Sequence, residues 1–111
     1  MAKSLRLKIK NLFIKIWVFN MLEVLYTNQF KKDVKLCKKQ NKDMEKFKYI
    51  DNILTLNNPL PAKYKNHPLK GDWLGYFDCH IEPDWVLIYR LELEINTITY
   101  ARMGSHSYLF G

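Results

Sequence analysis

The hydrophobic pattern changes period twice between residue 21 and the C-terminus. "MLEVLY" (21–26) alternates and is β-branched or aromatic enough to predict a strand. Thr27 or Asn28 can cap a helix through "NQFKKDVKLCKKQ", in which Phe30, Val34 and Cys37 fall at i, i+4 and i+7 on one face. "NKD" interrupts it, and Asp43 can cap a second helix whose buried side is Met44, Phe47, Ile50 and Leu54. "NNPLPAKY" ends that helix, because neither proline fits a helix interior. The two helices are expected to form an antiparallel hairpin.

Beyond the prolines the period becomes that of a sheet. "WLGYFDCHI" and "WVLIYRLEL" flank Glu82-Pro83-Asp84-Trp85, which has the chemistry of a type I turn and predicts a β-hairpin. "NTITYARMG" is a third strand, joined through a loop near Glu94–Asn96, and "SHSYLF" packs back at the end of the sheet. The expected fold is α+β in the order β-α-α-β-β-β, a helical hairpin on one face of a small antiparallel sheet. Alternation puts Phe77, Cys79 and Ile81 toward the helices and Tyr76, Asp78 and His80 on the open face. On the third strand, Tyr100, Arg102 and Gly104 are expected to share a face opposite Ala101 and Met103, which can bring Arg102 to the open side.

Composition changes this picture only at the N-terminus. The 111 residues suffice for one domain with its own core. Net charge is +7, and Lys3, Arg6, Lys8, Lys10 and Lys15, with no acid before residue 21, supply five of those charges. Residues 1–20 form a basic, apolar leader too short to span a membrane and interrupted by Lys15. No small-residue cleavage site follows it. The preferred reading is that Met21 is the true start or that the leader is dispensable; a basic strand or membrane-surface segment is the alternative. Residues 21–111 are then a single domain. Its lysine-dense helical stretch suits a polyanionic partner, against the plainer reading of a solvated helix face. Cys37 and Cys79 have no metal-type spacing, and nothing resembles a secreted scaffold, so a reducing, cytoplasmic compartment is expected.

The candidate chemistry lies at one end of the predicted sheet. The hairpin turn returns Asp84 to the end that holds His80, and Gly104-Ser105 turns the chain to present His106. Two histidines, a carboxylate and a guanidinium suffice for metal-free RNA cleavage. A base takes the 2′-OH proton, an acid protonates the departing 5′-oxygen, and a fixed cation stabilises the phosphoryl oxygens. Arginine keeps its charge and grips phosphate bidentately. Plainer roles stand beside these. A lone histidine is more often a surface or packing residue, Arg102 can pair with Glu92 or Glu94, Asp84 can be a turn former, and Trp85 and Tyr76 can be sheet residues. A zinc site from His67, His80, His106 and Asp84 lacks any zinc-motif spacing.

The blocks His67-Pro68-Leu69-x-Gly71, His80-x-x-Pro83-Asp84-Trp85 and Arg102-x-Gly104-Ser105-His106 add specificity together. With "FKKDVKLCKKQNKDMEKFKYI" and "PLPAKYKNHPL", they closely resemble the YafQ-type toxins of bacterial type II toxin–antitoxin systems, in the RelE/ParE superfamily. The resemblance runs from about Met21 to Gly111 and leaves the leader outside. It implies the RelE/ParE-like fold and a ribosome-dependent, metal-independent mRNA endoribonuclease that cuts in the ribosomal A site. It implies catalytic roles for His67, His80, Asp84, Arg102 and His106, with His80 or Asp84 as base and His106 as acid. Trp85, Phe110 and Lys70 would contact substrate or ribosome; no cofactor and no metal are implied. The implied partners are a cognate antitoxin and mRNA on the ribosome, with operator DNA reached only through the antitoxin. Phe77 departs from the family pattern, where a basic residue is expected, and altered packing or ribosome contact follows. Because the superfamily includes gyrase poisons without the nuclease residues, the alternative is a non-catalytic member: a gyrase poison or an antitoxin-binding co-repressor.

Overall fold

The computed structural model describes residues 21–111; the expectations for the leader lie outside them. Strand β1 (Glu23–Tyr26) leads into helices α1 (Asn28–Lys39) and α2 (Met44–Thr55). A two-residue strand β2 (His67–Pro68) precedes β3 (Phe77–Glu82), β4 (Trp85–Glu92) and β5 (Thr97–Gly104), and a short helix α3 (His106–Phe110) ends the chain.

The local signals act as expected. Thr27 caps α1, its Oγ1 accepting from Phe30 N at 3.0 Å and donating to Ala101 O at 2.7 Å, so the cap also ties the helix to β5. Asp43 caps α2 through Glu45 N. Phe30, Cys37, Ile50 and Leu54 turn their buried stripes onto Cys79, Ile81, Leu87, Ile98, Tyr100 and Met103, which forms the main core. Each large apolar side chain so buried contributes about 1.5–3 kcal/mol. Tyr100 also donates its hydroxyl to Asp51, which binds α2 to the middle of β5. Both cysteines are free and buried. No helix among the described residues is long and apolar enough to cross a membrane.

The α+β class and the helical hairpin agree with the sequence reading, and three features refine it. The sheet has five strands in the order β1-β5-β4-β3-β2, and β1 runs parallel to β5, with Glu23 opposite Thr97. The sheet is therefore mixed rather than wholly antiparallel. Its second face is not open. Val86, Ile88, Ala101 and Leu109 form a smaller core there, with Leu69, Trp73 and Tyr76 packed against it.

The third difference concerns β5. Ile88 pairs with Arg102 and Tyr89 with Tyr100, so Ala101 is an extra residue. This β-bulge breaks alternation. Tyr100 and Met103 both join the main core, while Ala101 joins the second. Arg102 therefore does not share a face with Tyr100, as strict alternation predicted.

Candidate active site

The tight turn at Pro83-Asp84, the start of α3 and the short strand β2 meet at one end of the sheet. β2 pairs with β3 so that His67 is opposite Asp78. Its Nδ1 lies 3.0 Å from Asp78 Oδ1 and 2.8 Å from the Lys65 carbonyl oxygen. Asp78 is 2% exposed. Burial pushes its carboxyl above the usual carboxylate range, against the pull of His67, His80 and His106, which all act on it. A buried acid thus sits behind three histidines. Its Oδ1 lies close to the His67 ring but accepts no well-aligned hydrogen bond among the described residues.

His80 is half-buried, and its Nδ1 is 3.2 Å from the Pro83 carbonyl oxygen. A carbonyl only accepts, so this contact places the proton on Nδ1 and leaves Nε2 as the basic nitrogen of the neutral ring. His106 is exposed, with its ring centroid 6.2 Å from that of His80 and 4.9 Å from that of Phe110. Asp84 Oδ1 accepts the His106 backbone N–H at 2.9 Å. Ser105 Oγ accepts from Tyr108 N at 3.2 Å and caps α3. The helix that carries His106 is therefore pinned by the hairpin turn.

Arg102 is held on a different line. Its Nε donates to Asp33 Oδ2 at 2.8 Å and its Nη2 to Asp33 Oδ1 at 3.4 Å. Neither Glu92 nor Glu94 is its partner among the described residues. Tyr108 lies over the guanidinium, 5.2 Å from its carbon. Tyr108 and His106 belong to the same short helix, so α3 links Arg102 to the histidines.

The structure thus gathers His67, His80, Asp84, His106 and Phe110, with Arg102 joined through α3. It contradicts one assignment. Trp85 is fully buried in the core under the helices, where no base can reach its ring. Residue 85 is the first of β4, and its side chain follows Leu87 and Tyr89 onto the helix face. Lys70 is exposed just before the turn Gly71–Trp73 and enters no ion pair among the described residues. Phe77, the departure from the family pattern, stacks on Tyr89 at 5.8 Å at the edge of the main core.

Sequence reasoning did not assign Asp78, Asp33 or Tyr108 to the site. Alternation carried the signal for Asp78, which shares a face with His80. Asp33 falls three residues after Phe30 and four before Cys37, so it is a lone acid on the apolar stripe of α1. A charge in that position must find a partner.

Beside His80 opens a cleft of ≈ 690 Å³, whose walls include Lys46, Tyr49, Lys63 and Tyr64. Asp43, Glu45 and Glu82 balance its lysines. The unbalanced charge lies on α1, where Lys31, Lys32, Lys35, Lys38 and Lys39 are exposed and enter no ion pair among the described residues. No cluster of three or more His, Cys, Asp or Glu side chains among the described residues has metal-site geometry.

Comparison with known proteins matches residues 22–111 to the family described as "Bacterial toxin of type II toxin-antitoxin system, YafQ". The chain belongs to the YafQ toxin family. Over 90 residues it is 50% identical to the mRNA interferase toxin YafQ of Escherichia coli K12, covering 80% of this chain and 96% of that one. The E. coli toxin crystallised with its antitoxin DinJ superposes with a TM-score of 0.75 at 49% identity, over 82% of this chain and 99% of that one. A metal-bound toxin from Helicobacter pylori gives a TM-score of 0.77 at 38% identity, over 81% of this chain and 100% of that one. Family membership and the toxin-like fold agree with the resemblance read from the three histidine-containing blocks.

Proposed function

We propose that this protein is an mRNA interferase, the toxin of a toxin–antitoxin pair, and that it cleaves messages in the ribosomal A site without a metal ion. The observation that carries the chemistry is the His80–His106 pair. Two imidazoles lie 6.2 Å apart, one held with Nε2 available and the other at the start of a pinned helix.

His80 Nε2 takes the proton from the 2′-OH, and the 2′-oxygen attacks the adjacent phosphorus. The P–O5′ bond breaks as His106 gives a proton to the departing 5′-oxygen, leaving a 2′,3′-cyclic phosphate and a 5′-hydroxyl. Each of these proton transfers is worth about 10²–10⁴-fold. Arg102 stabilises charge on the phosphoryl oxygens. His67 positions the phosphate, and Asp78, 3.0 Å from its Nδ1, holds the His67 ring in place. Asp84 orients His106. Phe110 supports the His106 ring, and Phe110 and Lys70 contact message or ribosome. We take His80 rather than Asp84 as the base because Asp84 Oδ1 is engaged by the helix N–H, which gives that carboxylate a positioning role, and the His80 ring stands beside that of His106.

A cognate antitoxin is the expected protein partner. An acidic or disordered segment of it would find the exposed lysines of α1. Operator DNA would be reached through the antitoxin, and the working compartment is the cytoplasm.

The test is a reconstituted translation reaction with the purified protein, with message cleavage mapped by primer extension. Cleavage within ribosome-bound codons is expected, insensitive to chelator, and lost in folded His80→Ala and His106→Ala proteins. The pH–rate profile of the wild-type protein should be bell-shaped, as one general base and one general acid require. Cleavage that survives both substitutions would refute the assignment. Absence of cleavage by folded wild-type protein would favour the non-catalytic gyrase-directed or co-repressor alternative.

A further inference from the structure

Asp33 is a fully buried acid in the middle of a lysine-rich helix. Its carboxylate receives Arg102 Nε and Nη2, Met103 N at 3.0 Å, Tyr108 Oη at 3.0 Å and Gln29 Nε2 at 3.3 Å. Three of these four partner residues belong to the end of β5 or to α3, the elements that bear Arg102 and His106. A carboxylate used only to anchor α1 would not need to reach the bulged strand and the terminal helix together.

The orientation of the clamp carries the inference. A guanidinium presents two kinds of paired-donor edge, one at Nε and one at its outer end. Asp33 occupies the Nε–Nη2 edge and leaves the Nη1 end outside the clamp. Tyr108 fixes the plane of the group from its face. Rotation of the guanidinium would break both Asp33 contacts and lift it from the ring.

We propose that Asp33 is a positioning residue for Arg102: by clamping the Nε edge it aims the outer end of the guanidinium at the scissile phosphate. This rests on the reading of Arg102 as the group that stabilises phosphoryl charge. Asp33 itself touches neither substrate nor reacting atoms.

The test is a double-mutant cycle on the full chain. It measures single-turnover message cleavage on saturating ribosomes, with the half-saturating toxin concentration determined separately. Asp33→Asn keeps the shape and weakens the clamp. It should lower the saturated rate on the order of tenfold or more, with half-saturation little changed. In an Arg102→Ala background the same substitution should have no further effect. Tyr108→Phe removes one hydroxyl from Asp33 and keeps the ring over Arg102. It is the milder second variant should Asp33→Asn fail to fold, and it should show a smaller loss that also vanishes without Arg102. Independent, additive losses would overturn the proposal and leave Asp33 a structural residue. So would an unchanged saturated rate in folded variants whose Arg102→Ala counterpart is impaired. If Arg102→Ala alone cleaves at the wild-type rate, the assignment of Arg102 falls first and the inference with it.

Discussion

The Asp84 carboxylate accepts the backbone N–H of His106 at 2.9 Å, joining the hairpin turn to the first residue of the terminal helix. This contact separates two roles that a turn aspartate can play. Asp84→Asn retains an amide oxygen as acceptor, so its single-turnover cleavage should stay within about threefold of wild type. Asp84→Ala releases the helix and should lose on the order of tenfold or more. A loss of about 10² or more in Asp84→Asn would instead make Asp84 the base.

Asp78 should trade stability for activity. Burial raises its carboxyl pKa despite the three histidines. Between the unfolded value of about 3.9 and the raised folded value, the native state binds more protons, so stability falls as pH rises through that window. Asp78→Asn, which has no charge to bury, should melt at a higher temperature than wild type at neutral pH. The advantage should shrink toward pH 4. The same protein should cleave message more slowly, because His67 loses the carboxylate that holds its ring. Thermal melts at both pH values, with a cleavage assay, check both halves; a substitution that lowers the melting temperature equally at each pH would contradict the account.

Trp85 provides a contrast. Its ring is fully buried in the main core, so substitution should act through folding. Trp85→Ala should cost about 3–5 kcal/mol. Trp85→Phe keeps most of the apolar volume, and the folded protein should cleave within a few-fold of wild type. A folded Trp85→Phe protein with normal stability and no cleavage would restore a direct role in substrate binding.

Gly104 tests the helix–strand junction. A β-carbon there would stand 2.6 Å from Tyr108 Cδ2 and 3.3 Å from Cε2. Gly104→Ala must move the ring that lies on Arg102. The expected cost is about 1–3 kcal/mol of stability, with a fall in saturated cleavage rate. Denaturant melts and single-turnover assays read the two effects separately, and an unchanged rate would show that the ring's seat on Arg102 is dispensable.

Much of this arrangement follows from local pattern. The 3.6-residue spacing of Phe30, Val34 and Cys37 defines the buried stripe of α1, and Thr27 and Asp43 define both helix starts. Alternation in β3 places His80 and Asp78 on one side and Cys79 and Ile81 on the other, because a strand offers its side chains only two faces. Pro83-Asp84 makes the turn that returns Asp84 to the histidines. These are short-range rules, and they hold here because tertiary packing agrees with them.

Tertiary structure decided what depends on distant partners. The extra residue Ala101 shifts β5 by one position relative to β4, a change of register that the spacing within β5 does not display. The bulge turns Arg102 toward Asp33, 69 residues earlier in the chain. The pairing of His67 with Asp78 rests on a two-residue strand too short to leave a hydrophobic period. Local pattern marks β1, the two long helices, the three longer strands of the sheet and the histidine-rich end. Packing across the sheet places Trp85 in the core, sets Asp78 behind the histidines, and holds Arg102 on Asp33 of α1. Local periodicity records which way a side chain faces; it does not record which distant group will meet it.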